Sequence, residues 1–371
     1  MLAELGLGDL SPRTAAVLFG GVLGLAFGVL AQRSAFCLRR ALVGHEAERP
    51  SARGVWLMAL AVSVAGTGAL LATGIVDLSG HRFVASKLPL LAIVVGGLLF
   101  GAGMVLARGC ASRLTVLAGS GNLRALTVII VFAAVAHATL KGALAPVRTG
   151  LSTVTVDLGS AASMVAWPGG ALFWSAAIAL TLLAVALRSG ARPSALVMGA
   201  LIGALAPLGW LGTGYVLKDE FDPIAVESLA LTSAASETLF WWIASSAIAP
   251  TFGVGFLAGV LGGSFLAAIA SRQFAVEGFG PSSSTGNYLA GGALMGVGGV
   301  LAGGCTVGAG LVGVGTLSVA AALALLSICA GAVLANALAN RTAASTTASS
   351  STGETATPAH SFGIAARAIS L

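Results

Sequence analysis

The sequence predicts an all-α polytopic membrane protein, and three observations carry that prediction. Of the 371 residues, 57% are hydrophobic and 9% charged, with a mean hydropathy of +0.98, which is more apolar surface than a water-soluble core can hide. Nine apolar runs approach the roughly 20 residues a helix needs to cross a hydrocarbon core about 30 Å thick. Glycine supplies 52 residues while aromatics make up only 6%; in lipid, helices associate through close packing, which small side chains allow.

The elements follow in chain order. Segment 1–13 carries acids where a signal peptide would carry a basic start, and reads as a periplasmic N-terminus. Spans are expected at 14–31, 54–75, 88–107, 124–144, 169–188, 193–215, 249–271, 287–304 and 316–339. "SETLFWWIASSAIAP" (236–250) reads as an interfacial or half-membrane helix, because Trp241 and Trp242 suit the headgroup layer. The connections 145–168 and 216–237 hold no motif. The Ser/Thr/Ala-rich stretch 341–371 reads as a disordered cytoplasmic tail. The organisation expected is a first repeat half (14–144), connecting spans and periplasmic loops (145–248), and a second repeat half (249–340).

Charge gives the orientation. With the N-terminus outside, the inner segments hold thirteen of the nineteen basic residues and four of the thirteen acidic ones. That is the arginine and lysine bias of cytoplasmic loops, so the N-terminus is expected in the periplasm and the C-terminus in the cytoplasm. The net charge of +6 therefore reports topology and calls for no nucleic-acid partner.

"GAGMVLARGC" (101–110) and "GVGGVLAGGC" (296–305) agree at seven of ten positions, and each ends in cysteine. In the nine-span arrangement the two run in opposite directions, an inverted repeat of the kind that marks transport sites. The stretches that follow, "ASRLTVLAGSGN" (111–122) and "TVGAGLVGVGTL" (306–317), are too polar or too glycine-rich for ordinary spans. Both are expected as re-entrant segments meeting near the midplane in an hourglass, with helix N-termini there favouring an anion. The competing reading is small-residue helix packing duplicated by gene fusion. A weaker likeness links "FGVLAQRSAFCLRRAL" (27–42) to "FLAAIASRQFAVEGF" (265–279), which run the same way and so do not fit the inversion.

The candidate path residues are Cys110, Cys305, Cys37 and Cys329, with Arg113 beside them. A thiol is a weak donor on a soft sulfur, and weak contacts along a pore pass an ion without trapping it. Each cysteine also reads as a small buried hydrophobe, most readily Cys329 within "LLSICAGAVLA". The arginines around Cys37 and Cys110 read either as cytoplasmic anchors or as a basic vestibule in which Arg113 is the preferred candidate. His137 and Lys141 lie one turn apart in the fourth span. "GAGLVG" (308–313) lacks the βαβ context of a dinucleotide site. No paired carboxylates, metal-spaced cluster or phosphate-binding lysine points to an enzyme or a cofactor.

Taken together, "QRSAFCLRRAL" (32–42), "GAGMVLARGCASRL" (101–114), "SRQFAVEGFG" (271–280) and "GGALMGVGGVLAGGCTVGAGL" (291–311) resemble the YeeE/YedE family of sulfur-transport membrane proteins. The resemblance covers roughly 14–340. It implies a nine-helix hourglass in the bacterial inner membrane, importing thiosulfate or a related sulfur anion along cysteine thiols. By the same resemblance Cys110 and Cys305 match the two constriction cysteines, Cys37 matches that of the first helix end, and Cys329 matches a further thiol of some members. Ala275 stands where some relatives carry a cysteine. Sulfur acceptance would fall to a separate cytoplasmic TusA-like or rhodanese partner. The alternatives are transport of selenium species, sulfite or persulfide sulfur, a relay forming covalent persulfides, or a structural subunit.

Overall fold

The computed structural model describes residues 11–219, 222–278 and 282–351, so most of the N-terminal segment and the tail from 352 onward lie outside the described residues. Its helices are α1 (Pro12–Ser34), α2 (Leu38–Val43), α3 (Arg49–Ala72), α4 (Leu90–Leu106), α5 (Ala111–Gly119), α6 (Leu123–Lys141) and α7 (Ala145–Leu151). They continue as α8 (Gly170–Leu187), α9 (Pro193–Leu211), α10 (Leu231–Ile243), α11 (Phe252–Ala270), α12 (Ser282–Leu301) and α13 (Val319–Ser351). Two π-helical turns, π1 (Gly212–Val216) and π2 (Thr306–Gly313), follow α9 and α12. The only named strands among the described residues, β1 (Lys87–Leu88) and β2 (Val156–Asp157), pair antiparallel between two connections. Nine helical segments among the described residues are long and apolar enough to cross a membrane, and each overlaps an expected span, three of them running on through α2, α5 or π2. The protein is an all-α, multi-pass membrane protein.

Local chemistry sets the helix ends. Ser11 accepts the N–H of Thr14, with Pro12 opening α1. Asn122 caps α6 by accepting the N–H of Ala125 at 2.8 Å, while its amide donates to the Glu277 carboxylate. One side chain thus ties the α5–α6 turn to the α11–α12 connection. The half-membrane helix expected at 236–250 is α10, which starts earlier, at Leu231, and stops before Ala244. Its Leu231, Ala234 and Ala235 are buried, whereas Trp242 and Ile243 at the far end are exposed; the apolar start, not the tryptophans, fixes its position. Helix α13 runs through Ser351, past the position 341 where the tail was expected to begin.

Glycine determines how the long helices meet. On α1, a Cβ at Gly20, Gly24 or Gly28 would strike the carbonyls of Phe252, Phe256 and Val260. On α11, a Cβ at Gly255, Gly259 or Gly263 would strike those of Val17, Gly21 and Leu25. The four-residue spacing on both sides, rising together, makes α1 and α11 a parallel pair in backbone contact. The repeated phrases behave differently. A Cβ at Gly103 would lie 2.6 Å from Gly291 O, and one at Gly298 would lie 2.6 Å from Gly96 O. Residue numbers rise on α4 as they fall on α12, so these two helices pack antiparallel.

The face where α1 begins is the N-terminal face. It gathers the Arg13–Asp222 ion pair (3.1 Å) and the Ser318 hydroxyl bonded to Phe83 O. The opposite, far face holds the Asn122–Glu277 contact and the Arg40–Glu48 ion pair at 2.9 Å.

The zipper predicts a sharp contrast between neighbouring glycines. Gly24→Val and Gly259→Val drive side chains into carbonyl oxygens, an overpacking that costs at least ~1–3 kcal/mol each. We expect both to lose the monodisperse folded species on size-exclusion chromatography and to unfold at lower temperature. Gly262→Ala, which meets nothing within 4 Å, retains it.

Candidate functional site

Three of the four cysteines occupy the same kind of break. Helix α1 ends on Ala35 (φ 49°), and Cys37 caps α2 two residues later. Helix α4 gives way to Arg108 (φ 54°), and Cys110 caps α5 two residues on. Helix α12 gives way to Gly303 (φ 78°), and Cys305 caps π2 two residues on. A left-handed residue closes the preceding helix, as in the Phe36 N–H to Ala31 O and Gly109 N–H to Met104 O bonds. One more residue turns the chain, and the cysteine then starts a short helix. Only Gly303 adopts its dihedral freely; left-handed Ala35 and Arg108 each carry strain of order ~1 kcal/mol or more. The stretches expected as re-entrant are thus a 9-residue helix, α5, and an 8-residue π-helix, π2. Helix α5 packs on α6 and α11, and π2 packs on α13.

The structure brings Cys37 and Cys110 together. Their sulfurs lie 3.5 Å apart in the buried core, and Ser112 Oγ stands 3.2 Å from Cys110 Sγ. Arg113, the arginine preferred from sequence, is within electrostatic reach of both thiols. Its Nη1 is buried without a hydrogen-bond partner, so a cation faces the thiol pair with unused donor capacity. Of the other nearby arginines, Arg39 also has a buried Nε without a hydrogen-bond partner, whereas three are committed elsewhere. Arg49 and Arg53 donate to the carbonyls of Gly44 and Ala41, closing the end of α2, and Arg40 pairs with Glu48.

Cys305 comes from the opposite half. Along the α4–α12 contact Ala107 lies level with Gly291 and Gly96 with Ala302, so Ala107 and Ala302, where the two helices give way, lie roughly 16 Å apart along the helix axis, at 1.5 Å per residue. Cys305 is fully buried and its sulfur accepts the N–H of Gly308 at 3.4 Å. Sequence paired Cys110 with Cys305; the thiol contact in the structure is Cys37 with Cys110. Cys329 is half-buried on α13 and packs against the rim of the same core. Ala275 lies in an exposed stretch, where its N–H bonds to Ser120 O on the far face.

Sequence reasoning missed a second group of residues. A cavity of about 310 Å³ opens on the N-terminal face, with Gly308 and Val312 of π2 in its wall. His81, Arg82, Trp210, Glu227 and Glu237 line it too. Arg82 is close enough to Cys305 for electrostatic interaction. The signal available was Arg82 itself, a basic residue on the face where basic residues are scarce. His137, singled out from sequence, instead joins α6 to α10 through Ser236 (3.1 Å) and stacks on Phe240. No cluster of three or more metal-ligating side chains occurs among the described residues.

The model of the Sulphur transport family matches residues 33–334, a stretch that contains all four cysteines, Arg113 and the cavity-lining residues. The chain is also 28% identical over 313 residues to the thiosulfate transporter TsuA of Escherichia coli (strain K12), an alignment covering 76% of this chain and 83% of that protein. The matched stretch spans both glycine phrases and most of the nine-span body, and the chain is a member of the Sulphur transport family.

Proposed function

We propose that the protein imports thiosulfate, or a closely related soft sulfur anion, across a bacterial inner membrane. The N-terminal face would be periplasmic and the far face cytoplasmic. The observation that carries this reading is the buried Cys37–Cys110 thiol pair beside Arg113, whose Nη1 is buried without a hydrogen-bond partner, with Cys305 offset toward the other side. Each of Cys110 and Cys305 stands at the start of a short helix, where free N–H groups favour negative charge. Neutral thiols among those amides give a soft anion several weak contacts in succession, and weak contacts release what they bind. On this reading the two broken helices are the re-entrant elements of an hourglass, Cys305 serves the outer half, and Cys110 then Cys37 serve the inner half. The family membership and the thiosulfate-transporting relative support the cargo. The arginine bias of the far face supports the direction. A separate TusA-like or rhodanese protein would accept the sulfur there.

A second reading draws on the same thiol pair. A thiolate of Cys37 or Cys110 attacking the outer sulfur of thiosulfate would release sulfite and leave a persulfide. The neighbouring thiol could then displace hydrosulfide and close a disulfide. Transport leaves the cysteines unmodified, so mass spectrometry after turnover separates the two.

Two outcomes test the path. In proteoliposomes, Cys110→Ala and Cys305→Ala should each lower thiosulfate uptake at least ~10-fold, a loss of about 1.4 kcal/mol or more in barrier terms, while Cys329→Ala stays near the wild-type rate. Equal rates in all three would remove the thiols from the path. Mild oxidation with diamide should join Cys37 to Cys110 and no other pair, since only these sulfurs touch; peptide mapping identifies the bond, and uptake should fall and recover with dithiothreitol.

A further inference from the structure

The cavity on the N-terminal face has the composition of a site in its own right. Its wall includes Gly308 of π2, whose N–H bonds to Cys305 Sγ, so whatever fills it lies against the short helix that Cys305 starts. Trp210 is 2% exposed and its indole Nε1 is buried with no hydrogen-bond partner. An orphaned donor in a cavity wall has capacity left for an acceptor. Arg82 adds a cation, and among the described residues no ion pair joins it to Glu227 or Glu237. Two donors stand ready while two carboxylates share the same small volume.

We infer that this cavity is an anion-entry subsite in which Arg82 and the Trp210 N–H take the oxygens of a sulfur-containing dianion, and that the ionised Glu227 carboxylate keeps it shut. The inference rests on the transport reading for its cargo and adds the entry step and its control. With both carboxylates charged, the cavity carries two negative groups against one positive, and a dianion is repelled. One proton on Glu227 removes half of that opposition.

The surroundings of Glu227 fit the role. Burial, and after it the neighbouring Glu237 charge, push its carboxyl up to about 7, against a smaller opposing pull from Arg82. It is therefore neutral below that pH and charged above it. Burial pulls His81 down to about 4, so the imidazole is neutral throughout the range that matters. Of the remaining charges nearby, Arg13 shares a second cavity with Glu227 but is paired with Asp222 at 3.1 Å. Lys141 acts on Glu237 from α6. Glu237 also accepts a hydrogen bond from Thr251 Oγ1 at 2.6 Å. Thiosulfate is fully ionised at neutral pH, so a pH effect on its entry reports the protein and not the substrate.

The test uses the full chain in proteoliposomes, with labelled thiosulfate outside and the internal pH held fixed. Wild-type uptake at limiting substrate should rise about 10-fold from external pH ~8 to pH ~6, following the protonated fraction of a group titrating near neutrality. Glu227→Gln should be fast at both. Arg82→Gln should raise KM ~10-fold with little change in maximal rate, as loss of uniform binding does, with Arg82→Lys recovering most of it and Trp210→Phe giving a smaller rise. A flat wild-type profile, a Glu227→Gln protein that keeps the wild-type pH dependence, or an unchanged KM in Arg82→Gln overturns the inference. Thiosulfate binding by calorimetry in detergent separates the two levels. Binding that depends on Arg82 without flux overturns the transport reading and keeps the subsite, whereas no binding at all overturns both.

Discussion

Everything in this molecule depends on backbone meeting backbone across glycine. In lipid, apolar side chains gain nothing by leaving solvent for protein, so helices hold together through dispersion and fit. The α1–α11 zipper supplies that fit in parallel, and the α4–α12 contact supplies it antiparallel. Because the carbonyls themselves form the contact surface, neither helix can slide or rotate without collision. That rigidity is what sets the level at which each helix breaks, and the breaks carry the thiols.

The two interfaces also show what the glycines of the repeated phrase do. Gly103 and Gly298 pack the two repeats against each other, so the small-residue explanation of the repeat is true of its glycines. It does not reach the last residue. Cys110 and Cys305 make no part of the α4–α12 contact; each caps the next short helix. The phrase has two halves with two jobs: glycines that dock the repeats, and a cysteine placed just past the point where docking ends. The antiparallel packing turns the two phrases in opposite directions, which a parallel pair such as α1 and α11 could not do.

Much of this was legible in the sequence, for reasons that particular residues make plain. Runs such as 88–107 announce themselves by length and hydropathy, and lipid leaves a chain no other regular option. The opposite direction of the two repeats followed from counting spans. What sequence could not supply was proximity between elements far apart in the chain. Nothing in "SAFC" or "ARGC" says that Cys37 will touch Cys110 across 73 positions, because that contact is a product of α1 and α4 docking on different partners. The left-handed Ala35 and Arg108 were equally hidden, since neither residue type favours that backbone. Glycine at 303 was the one member of the set whose conformation its identity could suggest. Arg82 and Trp210 went unnoticed for a related reason: one reads as a loop cation and the other as an interfacial aromatic until π2 and α10 close around them.

The placement of charge completes the physical logic. Formal charges that face the interior are found at two levels, Arg113 beside the Cys37–Cys110 pair and Arg82 with Glu227 and Glu237 beside Cys305. The repeated α4–α12 contact between those levels is packed with Phe100, Met104 and Met295, all fully buried. A cation placed within that layer would hold a dianion by an attraction that low dielectric makes very large. On the transport reading, cations kept at the two levels would favour arrival and departure, and the apolar layer between them would neither repel nor hold. A cysteine suits the two levels themselves, beside a cation, because its sulfur offers contact and a weak hydrogen bond at little cost in desolvation. On the transport reading, a lysine at either cysteine position would add a second cation beside Arg113 or Arg82 and hold an anion more tightly than a thiol does.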